Sequence, residues 1–179
     1  MRIVYLDCFS GISGDMTLGA LLGLGADEQE FRRQLALLGV GGYELTIARR
    51  KVEGLMSVDV DVLLTEVDTG HGRHLSDIHE IYAASSLPAR VIERATAIFE
   101  NLAEAEAKVH GTTKEEIHFH EVGAVDAIVD ITGTCILLEM LNVDAVYCSP
   151  LPYSRGFVDC QHGRMPLPAP ATLELMAGI

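Results

Sequence analysis

Arg2-Ile3-Val4-Tyr5-Leu6-Asp7-Cys8-Phe9-Ser10-Gly11-Ile12-Ser13-Gly14-Asp15-Met16 changes character twice within a short span. Arg2 to Leu6 reads as a short buried strand ended by Asp7. Cys8 to Asp15 supplies turn residues, and Met16, Leu18, Leu21 and Leu22 then mark a helix that Asp15 or Ser13 is able to cap. A strand that hands over to a helix through one turn puts both kinds of element into a single unit. A second helix is expected from Asp27, with Glu30 three residues on as in a capping box; Phe31, Leu35 and Leu38 form its apolar stripe and Gly39 ends it. Tyr43–Arg50 and Leu55–Leu64 read as a hairpin about Val52-Glu53-Gly54. In its second strand Val58, Val60, Val62 and Leu64 alternate with Asp59 and Asp61, giving one dry and one wet face.

The polar run Asp68 to His74 is the expected internal boundary, dividing an N-terminal α/β unit over 1–67 from a segment over 68–179 packed on the same core. Beyond it the pattern predicts a helix over Leu75–Ala84, a break at Leu87-Pro88 and a long amphipathic helix over Ala89–Val109. Ile117 to Val122 reads as extended, Ala124 to Leu141 as a buried helix, and Ala145–Cys148 and Gly156–Cys160 as strands. The Pro-rich stretch Met165 to Pro170 leads into a helix cut short at Ile179, so the natural chain is expected to continue. The fold class is α+β: one small mixed sheet, built from the first strand, the hairpin and the strands near 145–160, is covered by helices. A helical insertion lies around 75–110.

Hydrophobic residues make up 49% of the 179 and charged residues 22%, which argues against disorder. The chain lacks Trp and carries only 6% aromatics, so the core must be mainly Leu, Val, Ile and Ala. The formal net charge of −13 disfavours nonspecific contact with nucleic acid or an anionic membrane and favours cationic partners, metal ions among them. Met1-Arg2 runs straight into the first strand and meets Asp7, so no signal peptide is expected. Ala127 to Leu141 is broken by Asp130 and Glu139 and cannot span a bilayer. The expected setting is the cytoplasm. Cys8, Cys135, Cys148 and Cys160 lie far apart with no CxxC pair. Cys135 and Cys148, in apolar runs, are expected to be buried free thiols; Cys8 and Cys160 stand beside polar motifs.

The strongest chemical signal is His118-Phe119-His120-Glu121-Val122-Gly123-Ala124-Val125-Asp126-Ala127-Ile128-Val129-Asp130. On an extended segment His118 and His120 project from the same side, about 6.5 Å apart. On a helix Asp126 and Asp130 share one face, about 6 Å apart. Burying an unpaired carboxylate is costly, and no Lys or Arg occurs from Glu115 to Ser154, so partners must come from elsewhere in the fold. A divalent metal, or the two histidines, would serve; imidazole with carboxylate suits nickel, zinc, manganese or iron. The alternative is a partly exposed helix whose aspartates face water. In the first turn, Asp7, Ser10, Gly11, Ser13, Gly14 and Asp15 combine backbone freedom with a helix N-terminus and could hold a phosphate or carboxylate, although the run fits neither the Walker A pattern nor the dinucleotide glycine fingerprint. His71, His74 and His79 could bind a late first-row metal or lie on solvated surface. In the run His162 to Thr172 three alternating prolines hold Arg164 in place, either as an anion clamp or as plain architecture.

Taken together, the block Leu6 to Met16, the block Phe119 to Asp130-Ile131 and the block His162-Gly163 through Thr172 resemble the LarC family of nickel-insertion proteins, in that family's order and over essentially the whole chain. Family members are about twice as long, with a further C-terminal domain. The resemblance implies insertion of nickel into pyridinium-3,5-bisthiocarboxylic acid mononucleotide, a nickel chelatase (lyase) reaction that yields the nickel-pincer cofactor of lactate racemase. In the family the reaction uses CTP with Mn2+ or Mg2+, which are linked to the C-terminal domain. On that reading His118, His120, Asp126 and Asp130 hold Ni2+, and Glu121, with Asp126, serves catalysis by taking the proton lost from the pyridinium carbon. The Ser10–Gly14 turn, with Asp7 and Asp15, cradles phosphate, and Arg155 and Arg164 offset its charge. Partners would be the mononucleotide, the family's C-terminal domain and possible further copies of the chain, with no nucleic acid and no membrane. Two other classes stay open: a nickel-binding or docking module without catalysis, and a metal-dependent phosphoester hydrolase.

Overall fold

The computed structural model describes residues 1–65, 72–119, 124–160 and 163–177. At its centre lies helix α5, Val125–Met140, whose Val125, Ile128, Val129, Thr132, Gly133, Cys135, Ile136 and Leu137 are all buried. A helix that is apolar nearly all round must be covered on several sides, and here helices α1 (Gly14–Gly23), α2 (Glu28–Ala36) and α4 (Ala89–His110) and the hairpin strand β3 (Leu55–Leu64) share that task. The core runs on through Phe31, Phe99, Ile78 and Tyr82, and draws on both halves of the chain.

Local signals account for most elements. Asp27 caps α2, its Oδ1 accepting the Glu30 amide at 2.7 Å. Strands β2 (Tyr43–Val52) and β3 pair antiparallel from Tyr43↔Leu64 to Val52↔Leu55. Their two-residue turn, Glu53 and Gly54, has φ of 49° and 89°, the positive-φ geometry that matches strand twist. Helix α3 (Leu75–Ala84) precedes α4, which ends on Gly111 in the left-handed conformation. Tyr82 Oη and Thr132 Oγ1 lie 2.9 Å apart and satisfy each other in the core, where burial pushes the phenol up to about 12.

The α+β class holds, but the strands do not pool into one sheet. Among the described residues they form four two-stranded ladders: β1 (Ile3–Leu6) parallel to β6 (Ala145–Cys148), β2 with β3, β4 (Arg73–His74) with β5 (His118–Phe119), and β7 (Phe157–Cys160) with β8 (Gly163–Pro166). Strands β5 and β7 fall within segments read as extended, whereas β4 is too short and β8 too rich in Gly and Pro to announce itself by alternation. The dry face of β3 also ends sooner than expected: Val60 is buried and Val58 and Val62 pack on the core, whereas Leu64 is exposed at the strand's end. On the parallel ladder Val4 is buried, yet Tyr5 is 62% and Tyr147 57% exposed, because nothing among the described residues covers that face. On the other face of β6, Cys148 is exposed too, against the expected buried thiol, while Cys135 is buried as expected. Helix α6, Pro170–Met176, closes the described chain.

The α1–β3 contact leaves no room for a side chain at Gly19, where a Cβ would stand 2.4 Å from the Val58 carbonyl oxygen. A backbone oxygen in a packed hairpin cannot step aside. Gly19→Ala should therefore lower stability by about 1–3 kcal/mol, in spite of alanine's better helix propensity; urea denaturation of both proteins measures it.

Candidate functional site

The turn after β1 is tied down from two directions. Cys8, buried, donates its amide to Ser149 Oγ at 2.7 Å, and the Ser149 amide reaches the Leu6 carbonyl at 2.9 Å. Gly11 returns its amide to the Cys8 carbonyl at 2.9 Å with φ of 98°. This locks residues 7–13 against the segment after β6 and aims them at the start of α1. Ser13 stands at the N-cap, but its hydroxyl bonds to Asp15 Oδ1 and not to a helix amide; the same oxygen accepts the Met16 amide at 2.7 Å. The capping expected of Ser13 or Asp15 thus becomes a shared arrangement. Ser10, Gly11 and Ser13, with Leu151, Pro152 and Thr172, line a groove of about 410 Å³. Asp7 is exposed and does not line it.

Beneath this turn α1 and α5 approach until Gly14 touches Asp130. A Cβ on Gly14 would lie 2.2 Å from Asp130 Oδ2. Asp130 Oδ1 is sealed from water and has no hydrogen-bond partner. Burial raises its pKa from 3.8 to about 6, with the negative charges of Asp15 and Asp126 adding to the shift. Asp126, one turn away, is exposed and accepts the Ala127 amide at 2.8 Å. Three acids from two helices thus act on one another, and one oxygen of the innermost is buried without a hydrogen-bond partner.

The histidines fall elsewhere. Phe119 is buried edge-on to Phe99, centroids 6.0 Å apart, so its neighbour His118 turns outward on β5. Directly opposite, on β4, stands His74; the ring centroids are 3.6 Å apart. His74 Nδ1 lies 3.0 Å from the Ile117 carbonyl. Among the described residues no three His, Cys, Asp or Glu side chains gather as a metal ion would require, so His118 does not join Asp126 and Asp130 in such a group. His120, Glu121, His71 and His162 lie outside the described residues. His79 instead meets Glu100 at 3.5 Å, and His110 meets Glu106 at 3.5 Å, both outside the site. Arg155 is exposed next to the groove-lining Ser154, and the Arg164 guanidinium stacks 4.5 Å over the Phe157 ring. Sequence reasoning passed over His74 as a partner of His118, and Gly14 as the seat of Asp130. Both depend on pairings between distant segments that no local pattern announces.

Comparison with known proteins decides the family. The family described as "Nickel insertion protein" matches residues 4–179. This chain belongs to the nickel insertion protein family. Pyridinium-3,5-bisthiocarboxylic acid mononucleotide nickel insertion proteins are 47% identical in Acetivibrio thermocellus, over 98% of this chain and 45% of the relative, and 50% identical in Desulfitobacterium hafniense, over 100% and 44%. A relative from Citrifermentans bemidjiense, provisionally named a nickel insertion protein, is 55% identical over 100% of this chain and 46% of its own length. The chain therefore spans about half the length of the curated relatives it matches. No solved structure matches it.

For this nickel insertion family member the state of Asp130 has a measurable consequence. Its folded pKa of about 6 exceeds the ordinary 3.8, so between about pH 4 and 6 the folded chain holds a proton that the unfolded chain has lost. Stability from this group is full below that window and lost as pH rises through it. In urea titrations Asp130→Asn should remove that part of the fall between pH 4 and 7 and leave the variant at least as stable as the parent at pH 7.5. Equal slopes in the two proteins would overturn the assignment.

Proposed function

We propose that this chain takes part in inserting nickel into pyridinium-3,5-bisthiocarboxylic acid mononucleotide, and that its share is to hold Ni2+ while the organic ligand closes around it. Relatives from two organisms are named for that insertion. The observation that carries the reading is Asp130, a carboxyl with a sealed, unpartnered oxygen whose pKa is raised by burial and by the charges of Asp15 and Asp126. Nickel is substrate here. The proposed ligands are Asp126 and Asp130 with His120; His118, which does not gather with the two aspartates, is left out of the set. Insertion forms two nickel–sulfur bonds and one nickel–carbon bond, and the ring carbon gives up its proton. Glu121, with Asp126, is the proposed acceptor. Asp130 would take the metal in exchange for its own proton, since a cation favours the ionised form.

The acidity of the chain sets the order of assembly. A mononucleotide with a phosphate and two thiocarboxylates is repelled by Asp15, Asp126 and Asp130 until a divalent ion stands between them. Metal first and substrate second is the sequence these charges favour. The Ser10–Gly14 turn would then receive the phosphate on the backbone amides at the start of α1, with Asp7 and Asp15 fixing the turn's borders and Arg155 and Arg164 lessening the repulsion. Mn2+ or Mg2+ with CTP does not fit the described residues. No Lys or Arg lines the groove that would have to receive a triphosphate. That requirement would fall to the additional length of the relatives, which is the partner we propose, besides a possible second copy of this chain. Four free cysteines are in keeping with a cytoplasmic setting, and no helix among the described residues is long and apolar enough to cross a membrane.

Equilibrium dialysis against Ni2+ with elemental analysis tests the reading. The Asp126→Ala, Asp130→Ala double variant should hold nickel at least about tenfold more weakly than the parent, the scale on which metal sites respond to lost support. Equal affinity would remove the carboxylates from the site.

A further inference from the structure

We propose that the open edge of β6 is a docking surface for the polypeptide that the relatives carry beyond their matched part, and that the incoming element is a β-strand. The choice of partner rests on the function proposed above; the surface itself rests on the fold. The core ends between the two strands of the parallel ladder. Val4 and Val146 are register partners on one face, yet Val4 is 8% exposed and Val146 47%. Leu6 packs on the core, while its partner Cys148 is exposed. On the opposite face Tyr147 is exposed as well. Strand β6 therefore overhangs the core with both faces open, and among the described residues β1 is its one strand neighbour. The backbone groups along its outer side form a row ready to pair with another strand.

Soluble proteins protect such edges with a charge, a proline or a bulge. Ala145-Val146-Tyr147-Cys148 carries none of these: its register with β1 is unbroken, and its four residues are uncharged in a chain of net charge −13. The acid just before it, Asp144, is turned back toward the start of the chain, where its Oδ2 accepts the Arg2 amide at 2.6 Å and lies 3.8 Å from the amino terminus. A strand is the element that fits this edge. Its side chains alternate, so they flank Val146 on one face and Tyr147 on the other while its backbone pairs with β6. A helix would cover one face and leave the edge unpaired. Two facts choose the occupant. The relatives match over 44–46% of their own length, so more than half of each lies beyond the matched part. Joined to that part, it meets the edge at the high effective concentration of an intramolecular contact. A second copy of this chain would come as a free molecule, against the repulsion between two net charges of −13.

Amide hydrogen exchange, read by mass spectrometry on this chain and on the intact Citrifermentans bemidjiense relative, tests the surface. Rates are taken against the buried run Ile128–Leu137 and its aligned segment, which report global opening. On that scale the segment of the relative aligned with Ala145–Cys148 should exchange at least about tenfold more slowly than in this chain, to the same extent at every protein concentration. Tyr147→Asp in this chain should leave its melting curve unchanged, and an aspartate at the aligned position of the relative should restore fast exchange there. Equal exchange in the two proteins, or slow exchange that survives the aspartate, would overturn the surface. Protection that fades on dilution in either protein would overturn the occupant and assign the edge to a second copy. Both proteins are measured without nickel or nucleotide, so failure here leaves the metal reading standing. Parent-like nickel affinity in the Asp126→Ala, Asp130→Ala variant would sink that reading and leave the docking edge in place.

Discussion

The closeness of α1 to α5 is the constraint from which the rest follows. Gly19 allows α1 to press on the hairpin, and Gly14 allows its first turn to lie against Asp130. A side chain at Gly14 would force α1 away from Asp130, and one at Gly19 would force it away from the hairpin. The pKa near 6 is thus a property of helix packing as much as of the residue that titrates. An ordinary domain would fill that seat with an apolar residue and gain stability. Keeping an acid there makes sense where something positive is meant to arrive.

The same economy appears in the turn above it. Cys8 and Ser149 stitch the loop after β1 to the loop after β6, and both loops contribute to the groove wall. The parallel pairing of β1 with β6 brings these two loops to the same end of their strands, where α/β proteins commonly receive ligands. The histidine ladder is held independently, by Phe119 in the core and by the start of α3.

Much of this was legible in the sequence, for reasons that differ from element to element. Asp27 with Glu30 declared α2, the glycine-containing turn at 53–54 declared the hairpin, and the largely apolar run from Val125 to Leu137 declared a buried helix, because each signal is local and the structure honours it. The acids of α5 were readable for the same reason: a helix fixes the relation of Asp126 to Asp130 before any tertiary contact forms. What could not be read was who meets whom. A two-residue strand such as β4 has no periodicity to detect, so His74 looked like loop and its pairing with His118 was invisible. The expected single sheet failed likewise, since alternation along a strand names its faces and not its neighbours. The exposed thiol of Cys148 follows from that failure: an apolar run implies burial only if another layer lies over it.

That uncovered layer has a further consequence. Parallel strands are nearly always sheathed on both faces, yet here Ile3, Tyr5 and Tyr147 present oily surface to solvent along a ladder whose outer edges carry unsatisfied backbone groups. Mutual repulsion from a net charge of −13 keeps such surfaces from meeting. Ions screen that repulsion within about 10 Å at 0.1 M but leave the attraction between apolar faces intact. Colloidal behaviour of the isolated chain should therefore be governed by ionic strength, with dilute buffer as its friend and brine as the condition in which molecules cohere.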